Sequence, residues 1–172
     1  MKRYLVIPAI LVLAGLFSFV PATTWQKYTS TEGRYSISFP GKPEESSDTD
    51  KSEDGTPFKI HFATYAPSDS EVFMTGWIDM TNFYPKDGSL KQMLENSRDG
   101  ATKSMQASKV ETTAINLGDK PYIEFTFVSE QFTGKDRIYL INKFQYSIIT
   151  IFSLSTGIPP VADQFIASFK LI

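Results

Sequence analysis

Cysteine is absent from the 172-residue chain, and histidine occurs once, at position 61. The first absence excludes disulfides, thiolate metal sites and cysteine nucleophiles. It also excludes thioether lipidation. Leu13-Ala14-Gly15 would lead into a bacterial lipoprotein site, but Leu16 stands where the modified cysteine belongs. The single histidine rules out the common zinc sets, which take three or four ligands, usually several histidines or cysteines. Clustered basic charge is missing too. With 17 Lys plus Arg against 19 Asp plus Glu and no basic stripe, the chain is a poor match for nucleic acid. There is no phosphate loop or dinucleotide fingerprint, since the glycines are scattered among turns. No Gly-x-Ser-x-Gly elbow occurs, and no repeat, heptad run or low-complexity block. Asn82 precedes Phe83-Tyr84 and is not a glycosylation acceptor. No cofactor is expected.

What is present begins with a directional N-terminus. Lys2 and Arg3 precede an almost wholly apolar run at residues 4–20, and Val20-Pro21-Ala22 provides a cleavage context after Ala22. This is the three-part layout of a secretory signal peptide. The alternative is an uncleaved anchor, but the run is at the lower limit for spanning a bilayer and no basic stop-transfer cluster follows. Residues 1–22 are therefore expected to be a signal peptide or N-terminal anchor, and residues 23–172 one exported domain, periplasmic or extracellular. Without Lys2 and Arg3 the formal charge moves from −2 to −4. A domain of this size buries roughly 68–70% of its unfolded surface, so a core can hold it without disulfides.

Hydrophobic periodicity lays out the elements. Tyr35, Ile37 and Phe39 alternate with polar residues, as do Phe58, Ile60 and Phe62, which predicts strands with one buried face. Residues 72–80 are apolar on both sides near Phe73, Met74, Trp77 and Ile78, as in a central strand. Ser89-Leu90-Lys91-Gln92 reads as a capping box, and Leu90, Met93, Leu94, Ser97 and Ala101 continue at helical spacing to about Met105. Strands are predicted at residues 110–117, 122–129, 136–141 and 144–153, the last two joined by a tight turn at Asn142-Lys143. Pro159-Pro160 sets up a closing helix with Ala162, Phe165, Ile166 and Phe169 on one face. Short turns make the strands mostly antiparallel. The expected fold is α+β: a curved antiparallel sheet of about six or seven strands flanked by helices.

Gly33 to Pro43 ("GRYSISFPGKP"), the mid-chain "LENSRDGA", the strand "PYIEFTF" and the closing "FIASFKLI" occur in an order and spacing that resembles the PsbP-like superfamily. The resemblance spans residues 25–172 and implies a curved antiparallel sheet with helices on both sides, an α/β/α sandwich. It implies no single function, because members bind different proteins. No ligand or partner-contact set of the superfamily matches residue by residue.

The candidate chemistry is sparse. "DTDKSEDG" at residues 48–55 begins like a calcium loop. From Asp48, position 6 is Glu53 where glycine is needed, and position 12 is Lys59 where a bidentate glutamate is needed. From Asp50, Gly55 falls at position 6, but Ser52 and His61 take positions 3 and 12. Residues 44–55 are therefore read as a solvated hairpin loop between strands at 34–39 and 58–65, with only weak divalent binding left open. His61 lies on the polar side of a strand, as a surface or sheet-face residue. A catalytic serine lacks its partners: Lys103 and Ser104 fall on the solvent side of a helix. Glu124 and Glu130 are the carboxylates considered for acid–base work, with structural or surface roles favoured. Trp77, Phe83 and Tyr84 surround a strand end and form the one candidate partner-binding patch, or else the rim of the core.

These readings predict a non-enzymatic domain that binds or stabilises a protein partner in the cell envelope, with membrane contact only through an uncleaved N-terminal segment. The alternative is a carrier of a small apolar ligand in a pocket between sheet and helix, lined by residues such as Met93, Phe125 and Ile149.

Overall fold

The computed structural model describes residues 24–51, 55–82, 84 and 89–172. The proposed signal segment, Phe83 and part of the acidic stretch lie outside the described residues. Among the described residues, twelve elements follow in chain order: β1 (Gln26–Ser30), β2 (Tyr35–Phe39), β3 (Glu44–Lys51), β4 (Pro57–Ser68), β5 (Glu71–Asp79), α1 (Leu90–Ser104), β6 (Lys109–Asn116), β7 (Tyr122–Val128), β8 (Phe132–Ile141), β9 (Phe144–Ser153), α2 (Val161–Ala167) and β10 (Lys170–Leu171). Seven strands form an antiparallel sheet in the order β3-β4-β5-β9-β8-β7-β6. A second sheet, β1-β2-β10, is also antiparallel. The α+β reading holds, and the separate three-stranded sheet is what the sequence did not announce.

Strand alternation sends each large-sheet strand's side chains to opposite faces, and each face carries its own core. Under α1, Met93 and Leu94 pack with Ile123, Phe125, Phe127, Ile138, Leu140 and Ile149. On the other face, the small sheet and α2 contribute Tyr35, Ile37, Phe39, Phe165 and Ile166 to a core with Ala63, Phe73, Tyr146, Ile148 and Phe152. Phe165 anchors α2: its ring centroid lies 5.0 Å from Phe39 and 5.3 Å from Phe73. Such aromatic pairs add about 0.5–1.5 kcal/mol beyond their area burial. The Tyr35 hydroxyl, 2.7 Å from Thr75 Oγ1, ties the small sheet to the large one.

Several local details differ from the sequence reading. Residues 44–51 are a strand, not a loop, and pair with β4 from Glu44↔Thr64 to Lys51↔Pro57. The strand is an edge, every residue in it is exposed, and no apolar alternation marks it. Main-chain pairing with β4 holds it, which periodicity cannot register. The partner of this segment is β4 only, because β2 belongs to the other sheet. Phe58, Ile60 and Phe62 are only half-buried, while Ala63 on the opposite face is in the core.

The helix begins where the capping box placed it, but Ser89 makes no side-chain cap, and Gln92 instead donates to Asn96 Oδ1 at 2.9 Å. Strand β8 starts four residues early because Gly134 permits it. A Cβ there would sit 2.2 Å from Thr150 O and 2.4 Å from Phe127 Cζ. The bare backbone lets the Phe127 ring of the neighbouring strand lie across it. Asn142 and Lys143 both take positive φ, 52° and 65°, the signature of a type I′ turn.

Candidate functional site

A cleft opens where the β1–β2 turn, residues 31–34, leans over β4 and β5. Its floor is His61 and Trp77, directly opposed across the two strands. Their rings stack at 4.0 Å between centroids and 6° between planes. The turn is held against Trp77 by a glycine. Gly33 N donates to Ser30 Oγ at 3.0 Å, and a Cβ on Gly33 would lie 2.9 Å from Trp77 Cδ1 and 2.8 Å from Tyr35 Cε1. Arg34 N donates to Thr31 O, and the small sheet closes over the turn when Ile172 N donates to Arg34 O at 3.0 Å.

The cleft has two lobes that share Glu32, His61 and Trp77. One, of about 300 Å³, runs toward the β3 edge between Tyr28, Ser30, Thr31, Glu45 and Ser46. The other, of about 550 Å³, runs toward the β9 end between Arg34, Phe58, Lys59, Asp79, Asn82 and Phe144. In the second lobe the Arg34 guanidinium lies over the Phe144 ring, 5.3 Å from its centroid. A hydrogen bond from the Thr81 side chain, then one from Thr81 N at 2.9 Å, with Arg34 and Lys143 nearby, hold the Asp79 carboxyl below the usual range. Desolvation, with Lys59 nearby, lowers the His61 imidazole, against a smaller opposing pull from Glu32. This favours the uncharged imidazole. Burial, and a hydrogen bond to Glu45, push the Tyr28 phenol up to about 12.

The carboxylates considered for acid–base work are not brought together. Glu124 is 6% exposed and enclosed by cations. Lys135 Nζ lies 2.9 Å from its Oε1, Arg137 grips Oε2 through Nε and Nη2, and Thr113 Oγ1 donates to Oε1 at 3.1 Å. Thr113 reaches it because the β6–β7 register shifts between Thr112 and Ala114. Lys135 continues to Asp163 of α2 at 2.7 Å, and Arg137 lies over the Tyr122 ring. Burial raises the Glu124 carboxyl, but its bonds to Lys135 and Arg137 outweigh this and leave it lowered. The set is a closed ionic clamp with no lone pair aimed at solvent chemistry. Glu130 is exposed in the β7–β8 turn.

Trp77 and Tyr84 do not share a surface. Trp77 packs beside the core of the small sheet and α2, whereas Tyr84 packs against the core under α1. Phe83 is outside the described residues. Lys103 and Ser104 are exposed on α1. Asp48 and Asp50 each accept a hydrogen bond from the next residue's backbone N–H, at 2.7 Å. Among the described residues, no group of three or more His, Cys, Asp or Glu side chains is placed to hold a metal ion.

Sequence reasoning singled out Trp77, read His61 only as a surface or sheet-face residue, and missed Glu32, Arg34, Glu45 and Asp79. They come from separate strands and a turn in different sheets, so no local spacing links them. Glu124 and Arg137 were findable. A β7–β8 hairpin turning near residue 130 sets these two opposite each other, as observed.

No protein-family profile matches the chain, and no curated protein sequence does. The solution structure of cyanobacterial PsbP (CyanoP) from Synechocystis sp. PCC 6803 superimposes with a TM-score of 0.56, at 10% identity, covering 92% of this chain and 99% of that one. The similarity lies in architecture and spans nearly the whole of both chains, and on it the chain has a PsbP-like fold.

Proposed function

We propose that this chain is an exported, non-enzymatic domain that binds a protein partner in the cell envelope. The observation that supports the reading best is the open two-lobed cleft over the His61–Trp77 pair, a preformed concavity with aromatic floor and polar walls. Partner-binding surfaces concentrate energy in such aromatic anchors. The chemistry around it favours recognition over reaction. In the cleft His61 is engaged in stacking; away from it, Glu124 is saturated by cations and Asp136, 1% exposed, is sealed under α1. Export rests on the N-terminal layout; among the described residues no helix is long and apolar enough to cross a membrane.

The carrier reading has less support. Met93, Phe125 and Ile149, which would line its pocket, are 8%, 0% and 4% exposed and packed in one cluster.

The test is to express the tagged chain in its own cell envelope, cross-link, and identify what co-purifies, with a size check for cleavage on the same gel. One dominant, reproducible partner is expected. A free monomer of mature size with no partner would overturn the reading and direct attention to lipid or metabolite extraction.

A further inference from the structure

The first lobe has unbalanced charge. Glu32 and Glu45 line it, and no lysine or arginine does. Among the described residues neither carboxylate forms a salt bridge, whereas Glu124, on the same face of the large sheet, holds two cations. Among the described residues the one hydrogen bond to either is from Tyr28 to Glu45, which leaves acceptor capacity on both. The His61 ring, held in its plane by the stack on Trp77, lines the same lobe as the two carboxylates and borders both lobes. The second lobe is balanced, Glu32 and Asp79 against Arg34 and Lys59, and carries the apolar surfaces of Phe58 and Phe144. Arg34 lies over the Phe144 ring in the second lobe and does not line the first.

A planar cation fits this arrangement better than a point charge. A guanidinium stacks on a flat ring face while its edge donors reach carboxylates on either side. Ammonium lacks the plane, and a neutral amide lacks the charge. The polar first lobe suits one long side chain, and the larger second lobe has room for the residues flanking it.

We propose that the cleft receives an arginine side chain presented by an extended segment of a partner protein, with the guanidinium on His61 between Glu32 and Glu45 and the flanking residues in the second lobe. This rests on the protein-binding reading above and names the chemistry of its site.

The direct test is a titration of the isotope-labelled protein with acetyl-Ala-Arg-Ala-amide, followed by NMR at the backbone amides and at the His61 and Trp77 ring protons. Shifts confined to the cleft lining, weakened by added salt, are expected. The lysine peptide should bind several-fold more weakly and the citrulline peptide should produce no cleft shifts. Glu32→Gln and Glu45→Gln should each weaken the arginine peptide roughly two- to five-fold, the range of single exposed ion pairs. Both side chains are exposed, so unchanged spectra away from the cleft certify the fold. Equal shifts from the citrulline peptide, or shifts elsewhere, overturn the proposal. In the envelope cross-linking experiment, a partner captured equally by the wild type and by the double variant removes the cleft from the interface while leaving protein binding intact. Loss of that partner from the double variant alone supports the assignment. No partner on either chain overturns the protein-binding reading itself, and the peptide titration then decides the cleft chemistry alone.

Discussion

Both carboxylate oxygens of Asp136 lie 3.0 Å from the hydroxyl oxygen of Ser147 on the neighbouring strand. A serine hydroxyl has one hydrogen and cannot donate to both at once. Asp136 is 1% exposed, opposite Phe125 and Ile149 on the α1 side of the sheet. Burial pushes its pKa up to about 7, against hydrogen bonds from Ser147 and the Ile148 and Arg137 amides that pull it down.

That shift sets a pH dependence. The unfolded carboxyl releases its proton near 3.9, while the folded one keeps it until about 7. Between these values the native state binds more protons, so stability from this group is full below about pH 4 and declines as pH rises toward 7. Asp136→Asn should remove the decline and raise stability at pH 8 by roughly 2 kcal/mol. Urea unfolding of both proteins from pH 4 to 8 measures it. Parallel curves would show that Asp136 is not the titrating group.

Glu124 should act in the opposite direction. Its folded pKa is lowered, so its contribution is present above the unfolded value and is lost as pH falls through the folded one. Glu124→Gln should cost roughly 3 kcal/mol at pH 7, because Lys135 and Arg137 lose a shared, buried counter-charge. The deficit should shrink below pH 4. An undiminished deficit at pH 3 would point to packing instead of charge.

Gly134→Ala should destabilise by roughly 1–3 kcal/mol. The new methyl group meets Thr150 O, which is backbone and cannot step aside, as well as the Phe127 ring. Thermal unfolding reads the loss, and Gly134→Ala combined with Phe127→Leu separates the two contacts. If the pair recovers full stability, the ring alone is responsible.

Lys143→Gly should stabilise by roughly 0.5 kcal/mol. Lys143 occupies left-handed backbone at φ 65°, which costs an L-residue about 1–2 kcal/mol, partly offset by the greater freedom glycine has when unfolded. Asn-Gly is the preferred pair for this turn type. A drop in urea midpoint would show that the lysine charge near Asp79 matters more than the backbone.

Legibility followed apolar content. The helix at 90–104, the β7 run Ile123, Phe125 and Phe127, and the turn at 142–143 were readable because each carries a local signal of period or turn chemistry. The edge strand at 44–51 was not, since none of its side chains is buried. The small sheet was hidden for a different reason. It joins Ser36 to Lys170, and nothing near either residue encodes that pairing. The cleft inherits the same opacity. Its floor follows from the β4–β5 register, but Glu32 and Arg34 arrive from the other sheet and Glu45 from a strand with no hydrophobic mark.

The pairing of β10 with β2 has a temporal consequence. Residues 170–172 leave the ribosome, and cross any membrane, after the rest of the described chain. Until they arrive, β2 lacks its second neighbour and the Arg34 carbonyl lacks the Ile172 amide. The seven-stranded sheet takes no strand from them, but the overhanging wall of the cleft is not pinned without them. The cleft wall is therefore completed after the rest, and a chain stalled before residue 170 carries the large sheet with the turn over it unpinned.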